Sequence, residues 1–233
     1  MIEKNYTIPI NEEFEKYDAC PLCRLNKKLE EQNLEYIMGA AMMEPSVRIE
    51  TNRLGFCASH YNNMLGMKNR LSLALMLETH LKKIQNLTVE LTSGGKKQSR
   101  EAAVQLSDIA DDCFLCRRIS STFEKYCSNI VYLWRTEPEF REKLLKQPYF
   151  CFTHTAALLK SGLENLPPKQ FPAFSEDLIA VAKNGLEKYS GEVSTFTKSF
   201  DYRYAGADLG EAKLACEHAV EWLIGCTEPW SEE

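Results

Sequence analysis

At 233 residues, 44% hydrophobic and 26% charged, the chain has the composition of an ordinary globule, long enough for one large core or two small ones. Its formal net charge of −5 disfavours a general nucleic-acid binder, whose phosphate contacts need a basic surface. The first twenty residues lack a basic start followed by an apolar run, and the longest apolar stretch, Leu71 to Leu77, is interrupted by Ser72 and too short to cross a bilayer. The expectation is a cytoplasmic protein with no membrane partner.

In chain order, the first pattern with chemistry in it is Cys20-Pro-Leu-Cys23. Leu22, Leu25, Leu29, Tyr36, Ile37 and Ala40 follow at helical spacing, and the helix is expected to stop near Glu44-Pro45, where proline cannot continue the ladder. After a 33-residue interval Cys57-Ala-Ser-His60 opens a shorter helix. Residues 67 to 92 read as a long helix with Ala74, Leu77, Leu81, Ile84, Leu87 and Leu91 on one face, suited to packing within the chain or against a second copy. Residues 67 to 100 hold seven Lys or Arg against two Glu, a local net charge of +5 that reads first as a solvated face and second as a partner surface. Thr92 to Arg100, with two glycines and seven polar or charged side chains, reads as a linker.

The same order then returns. Cys113-Phe-Leu-Cys116 precedes an apolar stripe of Ile119, Phe123, Cys127, Ile130 and Trp134, a stop is expected at Glu137-Pro138, and Cys151-Phe-Thr-His154 follows after 34 residues. At an offset of 93, Asp18, Leu22, Arg24, Glu31, Ile37, Glu44, Pro45 and Arg48 recur as Asp111, Leu115, Arg117, Glu124, Ile130, Glu137, Pro138 and Arg141. Phe56 and Leu65 recur at an offset of 94 as Phe150 and Leu159. Pro167, Pro168 and Pro172 precede a helix expected from about Ser175 to Tyr189. The expected organisation is a first unit over 1–92, a linker over 93–100, a second unit over 101–190, and a C-terminal segment over 191–233.

Nine cysteines is an odd number, and an intracellular chain keeps its thiols reduced, so spacing rather than parity decides their role. Each unit offers three cysteines and one histidine, a complete tetrahedral donor set for Zn²⁺. The expectation is two structural zinc ions per chain, one in each unit, held by Cys20, Cys23, Cys57 and His60 and by Cys113, Cys116, Cys151 and His154. An iron–sulfur cluster or a thiol redox pair is the alternative, and histidine in the fourth position argues against the cluster. Cys127 reads as a core thiol, and neither Cys216 nor Cys226 is expected to ligate. Cys216 and His218, two residues apart on a helix, point to different faces.

The C-terminal stretch has no counterpart in the repeat. In it, Phe200-Asp201-Tyr202-Arg203-Tyr204 packs two charges and three aromatics together. One reading is a docking turn in which the charges satisfy each other and the rings fill a groove; the other is a recognition site comprising Asp201, Tyr202, Arg203 and Tyr204. Trp222, Leu223 and Trp230 mark a packing helix at this end.

The segment Tyr6-Thr7-Ile8-Pro9-Ile10, the motifs C-P-L-C, M-E-P-S-V-R and G-F-C-A-S-H, and the late F-D-Y-R together resemble an uncharacterised bacterial family classed as a domain of unknown function. The resemblance supports the zinc ligands and the cytoplasmic setting and implies no reaction. The sequence itself shows no glycine-rich phosphate loop, nucleophile elbow or metalloprotease signature, and only His80 and His218 remain beyond the ligand sets. The leading expectation is therefore an all-α zinc-stapled scaffold that binds another protein. A zinc–thiolate redox sensor, or an enzyme with a site near the aromatic segment, stands as the alternative. The sequence leaves the oligomeric state open.

Overall fold

The computed structural model describes residues 6–93, 95–204 and 208–225, and among them it is all helix. In chain order the α-helices are α1 (Thr7–Phe14), α2 (Pro21–Met38), α3 (Pro45–Leu54), α4 (Ala58–Gly66), α5 (Arg70–Ser93), α6 (Lys96–Asp111), α7 (Phe114–Thr136), α8 (Pro138–Leu145), α9 (Phe152–Asn165), α10 (Phe171–Lys198) and α11 (Ala215–Ile224). The all-α expectation is met, and several boundaries follow from local chemistry. Pro45 and Pro138 do more than end a helix: each occupies the first turn of the next, where proline's missing N–H costs nothing. In the first repeat α2 already ends at Met38, and a 3₁₀ turn over Ala40–Met43 intervenes, so Ala40 leaves the expected stripe.

Two compact units emerge, one of residues 1–27 and 124–233, the other of 28–123. This differs from the division expected at the linker. The long helices α2 and α7 each begin in one unit and end in the other, so neither repeat is a folding unit by itself. The expected linker is mostly helix, since α6 starts at Lys96 with Gly95 as its N-cap; Gly94 lies outside the described residues.

In the first unit, α10 packs on α8, α9 and α11, while α1 packs on α8. Phe14 sits 4.9 Å from Phe140 and 6.2 Å from Phe150, ring centre to ring centre, and all three are fully buried. Trp134 meets Phe174 edge to face at 5.1 Å and donates its indole N–H to Asp177 at 2.8 Å. Close approach demands glycine at two places on this core: a Cβ at Gly162 would lie 2.7 Å from the Phe174 ring, and one at Gly185 would lie 2.4 Å from Trp222 Nε1.

In the second unit α5 and α6 form a hairpin, and α3 and α4 pack on α5. The long helix thus finds its partners within the chain. Its buried face matches the expected one only in part: Leu87 is buried and Leu77, Ile84 and Leu91 are half-buried, but Ala74 and Leu81 are exposed, and Leu73, Met76 and His80 point inward instead. Apolar residues cover more than half of this helix's circumference, so periodicity alone leaves its rotation undetermined by one position. His80 is a core histidine, 3.0 Å from the Asn52 carbonyl through Nδ1 and pressed against Gly55, where a Cβ would lie 2.9 Å from Nε2. Gly55 also has φ of 67°, so both backbone and space require glycine there.

The repeat is visible in how each long helix is fastened. Arg48 of α3 donates to the Leu75 carbonyl at 2.6 Å and to Thr79 Oγ1 at 2.9 Å, both on α5. Its counterpart Arg141 on α8 donates to Asp177 of α10 at 2.6 Å and stacks over Trp134 at 5.0 Å. One arginine position, reading its long helix through different acceptors, survives in both copies.

Candidate metal centres

All eight expected ligands are brought together, but not in the expected sets. One cluster is Cys20, Cys23, Cys151 and His154; the other is Cys57, His60, Cys113 and Cys116. The Cys-x-x-Cys of each repeat thus meets the Cys-x-x-His of the other, which corrects the expectation of one centre inside each repeat. Each cluster nevertheless lies wholly within one of the two compact units.

Local structure explains how the donors converge. Cys20 directly precedes α2 and Cys113 directly precedes α7, so the second cysteine of each pair lies in the first turn of its helix. Cys57 and Cys151 are the N-cap residues of α4 and α9, which places His60 and His154 one turn inside. Each centre is therefore the meeting point of two helix N-termini, whose partial positive charge favours thiolate.

The spacing within the clusters fits a tetrahedral metal. In the first, Cys23 Sγ lies 3.7 Å from Cys151 Sγ, and His154 Nδ1 lies 3.6, 3.3 and 3.1 Å from the sulfurs of Cys20, Cys23 and Cys151. In the second, Cys57 and Cys116 sulfurs are 3.8 Å apart, and His60 Nδ1 lies 3.2, 3.3 and 3.5 Å from Cys57, Cys113 and Cys116. Metal–sulfur bonds of about 2.3 Å and metal–nitrogen bonds of about 2.0 Å set tetrahedral edges of about 3.8 Å and about 3.5 Å. Ordinary side-chain packing has no reason to reproduce both edges twice. Two clusters of this composition could hold metal ions, with all four positions filled by protein.

Electrostatics point the same way. Burial, reinforced by the neighbouring Cys151, pushes the Cys20 thiol up to about 12, and burial with the adjacent Cys113 does the same to Cys116, also to about 12. Hydrogen bonds from Cys20 and Cys23 hold Cys151 far below the usual thiol range. A bound cation would offset the burial that disfavours the Cys20 and Cys116 thiolates.

The two centres differ in their surroundings. Cys20, Cys23 and Cys151 are buried, and Gly225, at φ 88°, brings the backbone after α11 beside this centre, with a Cβ position 3.9 Å from both Cys23 and Cys151 sulfurs. At the other centre Cys116 is exposed and Cys57 half-buried. There Glu30 Oε1 lies 3.7 Å from His60 Nε2 and accepts from Asn63 Nδ2 at 2.9 Å, an outer carboxylate of the kind that orients ligand imidazoles. Cys116 N–H points at Cys113 Sγ at 3.4 Å, and Asp112 caps the Cys113 N–H at 2.8 Å.

Residues 1–229 match a family of unknown function, DUF6062. The chain belongs to the DUF6062 family. The match runs through both repeats and the C-terminal aromatic segment. No curated protein and no solved structure matches the chain.

Beyond the clusters, the remaining expectations divide. Cys127 is buried on α7, belongs to neither cluster, and is pushed up to about 12 by burial. Cys127→Ala should keep both metals and cost about 1–2 kcal/mol of packing, checked by metal analysis and thermal melting of the same sample. Cys216 is exposed and belongs to neither cluster, while His218 Nδ1 lies 2.9 Å from Glu192 on α10. Cys226 and Trp230 lie outside the described residues. In the aromatic segment Asp201 and Arg203 pair with each other at 2.5 Å, Phe200 and Tyr202 are 79% and 87% exposed, and Phe200 meets Phe196 edge to face at 5.3 Å.

Proposed function

We propose that this protein is a zinc-stapled helical scaffold of the cytoplasm that binds another protein, with both zinc ions structural. The observation that carries the reading is the pair of complete Cys₃His sets, since a centre with four protein ligands has no open position for a substrate or water. Zinc is the cation whose borderline softness suits three thiolates and one imidazole. Ions held this way contribute folding energy outright, which an all-helical chain with two modest cores can use.

The partner reading rests on the exposed segment Phe200 to Tyr204. Asp201 and Arg203 fasten each other, which fixes the local backbone and leaves the rings of Phe200, Tyr202 and Tyr204 facing solvent. Aromatic side chains displayed on a stiff turn are the kind of anchor protein interfaces use. In one experiment, wild type and an Asp201→Asn/Arg203→Gln variant are purified from native cytosol, assayed for metal and probed for co-purifying protein. Two zinc ions per chain in both, with an interaction lost only from the variant, supports the reading. One metal per chain, or iron, overturns the zinc assignment. A variant that loses its melting temperature together with its partner overturns the recognition role.

A redox response is the second reading, favoured by the exposure of Cys116. A peroxide that oxidises two thiolates to a disulfide, and is itself reduced to water, removes two ligands and frees the ion. Under limiting peroxide the centre containing Cys116 should release its zinc before the buried one does, measured with a chromogenic chelator. Release of both at one rate counts against this reading.

A further inference from the structure

Each repeat carries four metal donors and completes no centre alone. The first repeat supplies Cys20 and Cys23 to one cluster and Cys57 and His60 to the other; the second repeat supplies the complementary pairs to both. Between the last donor of the first repeat and the first donor of the second, the chain is the α5–α6 hairpin, turning between Ser93 and Lys96. Ser93, Gly95 and Lys96 beside that turn are exposed; Ser99 Oγ donates to the Glu90 and Leu91 carbonyls at 3.5 and 3.4 Å, and Gln98 Oε1 caps the Gly95 N–H at 3.1 Å. Neither cluster draws a donor from the described residues of the turn, so the turn's conformation is not part of either ligand set.

We propose that a second copy of this chain can supply the complementary donors, so that two chains exchange repeats across the α5–α6 turn and build four centres, each drawing a Cys-x-x-Cys from one chain and a Cys-x-x-His from the other. The inference rests on the zinc reading above. In such a dimer every contact made between repeats is made again between chains, and only the conformation of the turn changes. That is the condition under which domain exchange carries a small free-energy cost and is governed by concentration. The exchange takes place when the centres assemble, during folding or remetallation, because four closed ligand sets resist opening once metal is bound.

Two full-length variants test this. One lacks the first-repeat donors (Cys20→Ser, Cys23→Ser, Cys57→Ser, His60→Ala), and the other lacks the second-repeat donors (Cys113→Ser, Cys116→Ser, Cys151→Ser, His154→Ala). Neither can complete a centre within one chain, but an exchanged pair completes two. Co-expressed with different tags, they should co-purify through both tags with two zinc ions per pair, and a strong chelator should part them. Zinc-free chains, or chains that fail to pair, while wild type from the same host holds its two ions, overturn the exchange alone. Zinc-free wild type overturns the underlying zinc reading and the exchange with it.

A cleavable chain guards against variants that do not fold. With a protease site inserted after Ser93 and all ligands intact, N-terminally tagged and C-terminally tagged chains are refolded together with zinc and then cut; capture through the N-terminal tag should retain the tagged C-terminal half of the other chain. Halves that pair only with the partner from their own chain overturn the proposal.

Discussion

A chain stripped of Cys20, Cys23, Cys151 and His154 should still bind one zinc ion, whereas a chain stripped of Cys20, Cys23, Cys57 and His60 should bind none. The crossed clusters require this asymmetry, because the first variant empties one centre and the second halves both. Centres contained within the repeats would give the opposite pair of results. Two remaining donors cannot replace four: structural zinc is held with about 10–16 kcal/mol of apparent binding free energy near neutral pH, spread over the ligands that must be gathered. Metal counting after brief chelator challenge decides between the two topologies, and limited proteolysis adds a second readout. In the one-ion variant, residues 28–123 should stay protected while 1–27 and 124–233 become cleavable, since the emptied centre lies in the latter unit.

The donors themselves were legible in the sequence because metal chemistry constrains spacing tightly. Two residues between cysteines, and two between cysteine and histidine, are what a helix N-terminus needs to aim both side chains at one point, and the repeat doubled the signal. The pairing was not legible. Both repeats carry the same donor types at nearly the same separation, so intervals of 33 and 34 residues are equally compatible with closure inside a repeat and with exchange between repeats. What decides it is the length of α2 and α7, 18 and 23 residues, which carry each chain segment away from its own Cys-x-x-Cys before the Cys-x-x-His arrives. Helix α6 was hidden for a different reason: its first turn reads Lys-Lys-Gln-Ser after glycine, a composition shared by linkers and solvated helices, and Ala102 is its only fully buried residue. Helix α1 was read only as part of a family motif, although Ile10 and Phe14 are fully buried.

Equivalent positions in the repeats are not energetically equivalent, and Arg24→Met should be far more damaging than Arg117→Met. Arg24 follows Cys23 on α2 and reaches Glu13 Oε2 at 2.7 Å, the Glu13 carbonyl at 2.7 Å, Asp18 at 2.7 Å and the Ala19 carbonyl at 2.9 Å. Glu13 is fully buried and also meets the Lys16 ammonium at 2.8 Å, so removing the guanidinium takes its bidentate-capable partner from a carboxylate in the core. Breaking a buried pair from one side costs about 3–5 kcal/mol, a fall in melting temperature of about 6–20 °C for a chain of this size. Arg117, 93 residues on, pairs with Asp112 through Nε at 2.8 Å, but its side chain is 59% exposed. Exposed pairs are worth about 0–1 kcal/mol, so Arg117→Met should shift the melting temperature by no more than about 4 °C. Arg24→Lys is the informative intermediate, since an ammonium keeps the charge but cannot span two carboxylates and two carbonyls at once. Zinc content measured on all three variants separates the causes. Two ions retained alongside a large thermal loss in Arg24→Met places the damage at Glu13, whereas loss of one ion places it at the adjacent Cys23, and equal melting of the Arg24 and Arg117 variants refutes the buried-pair account.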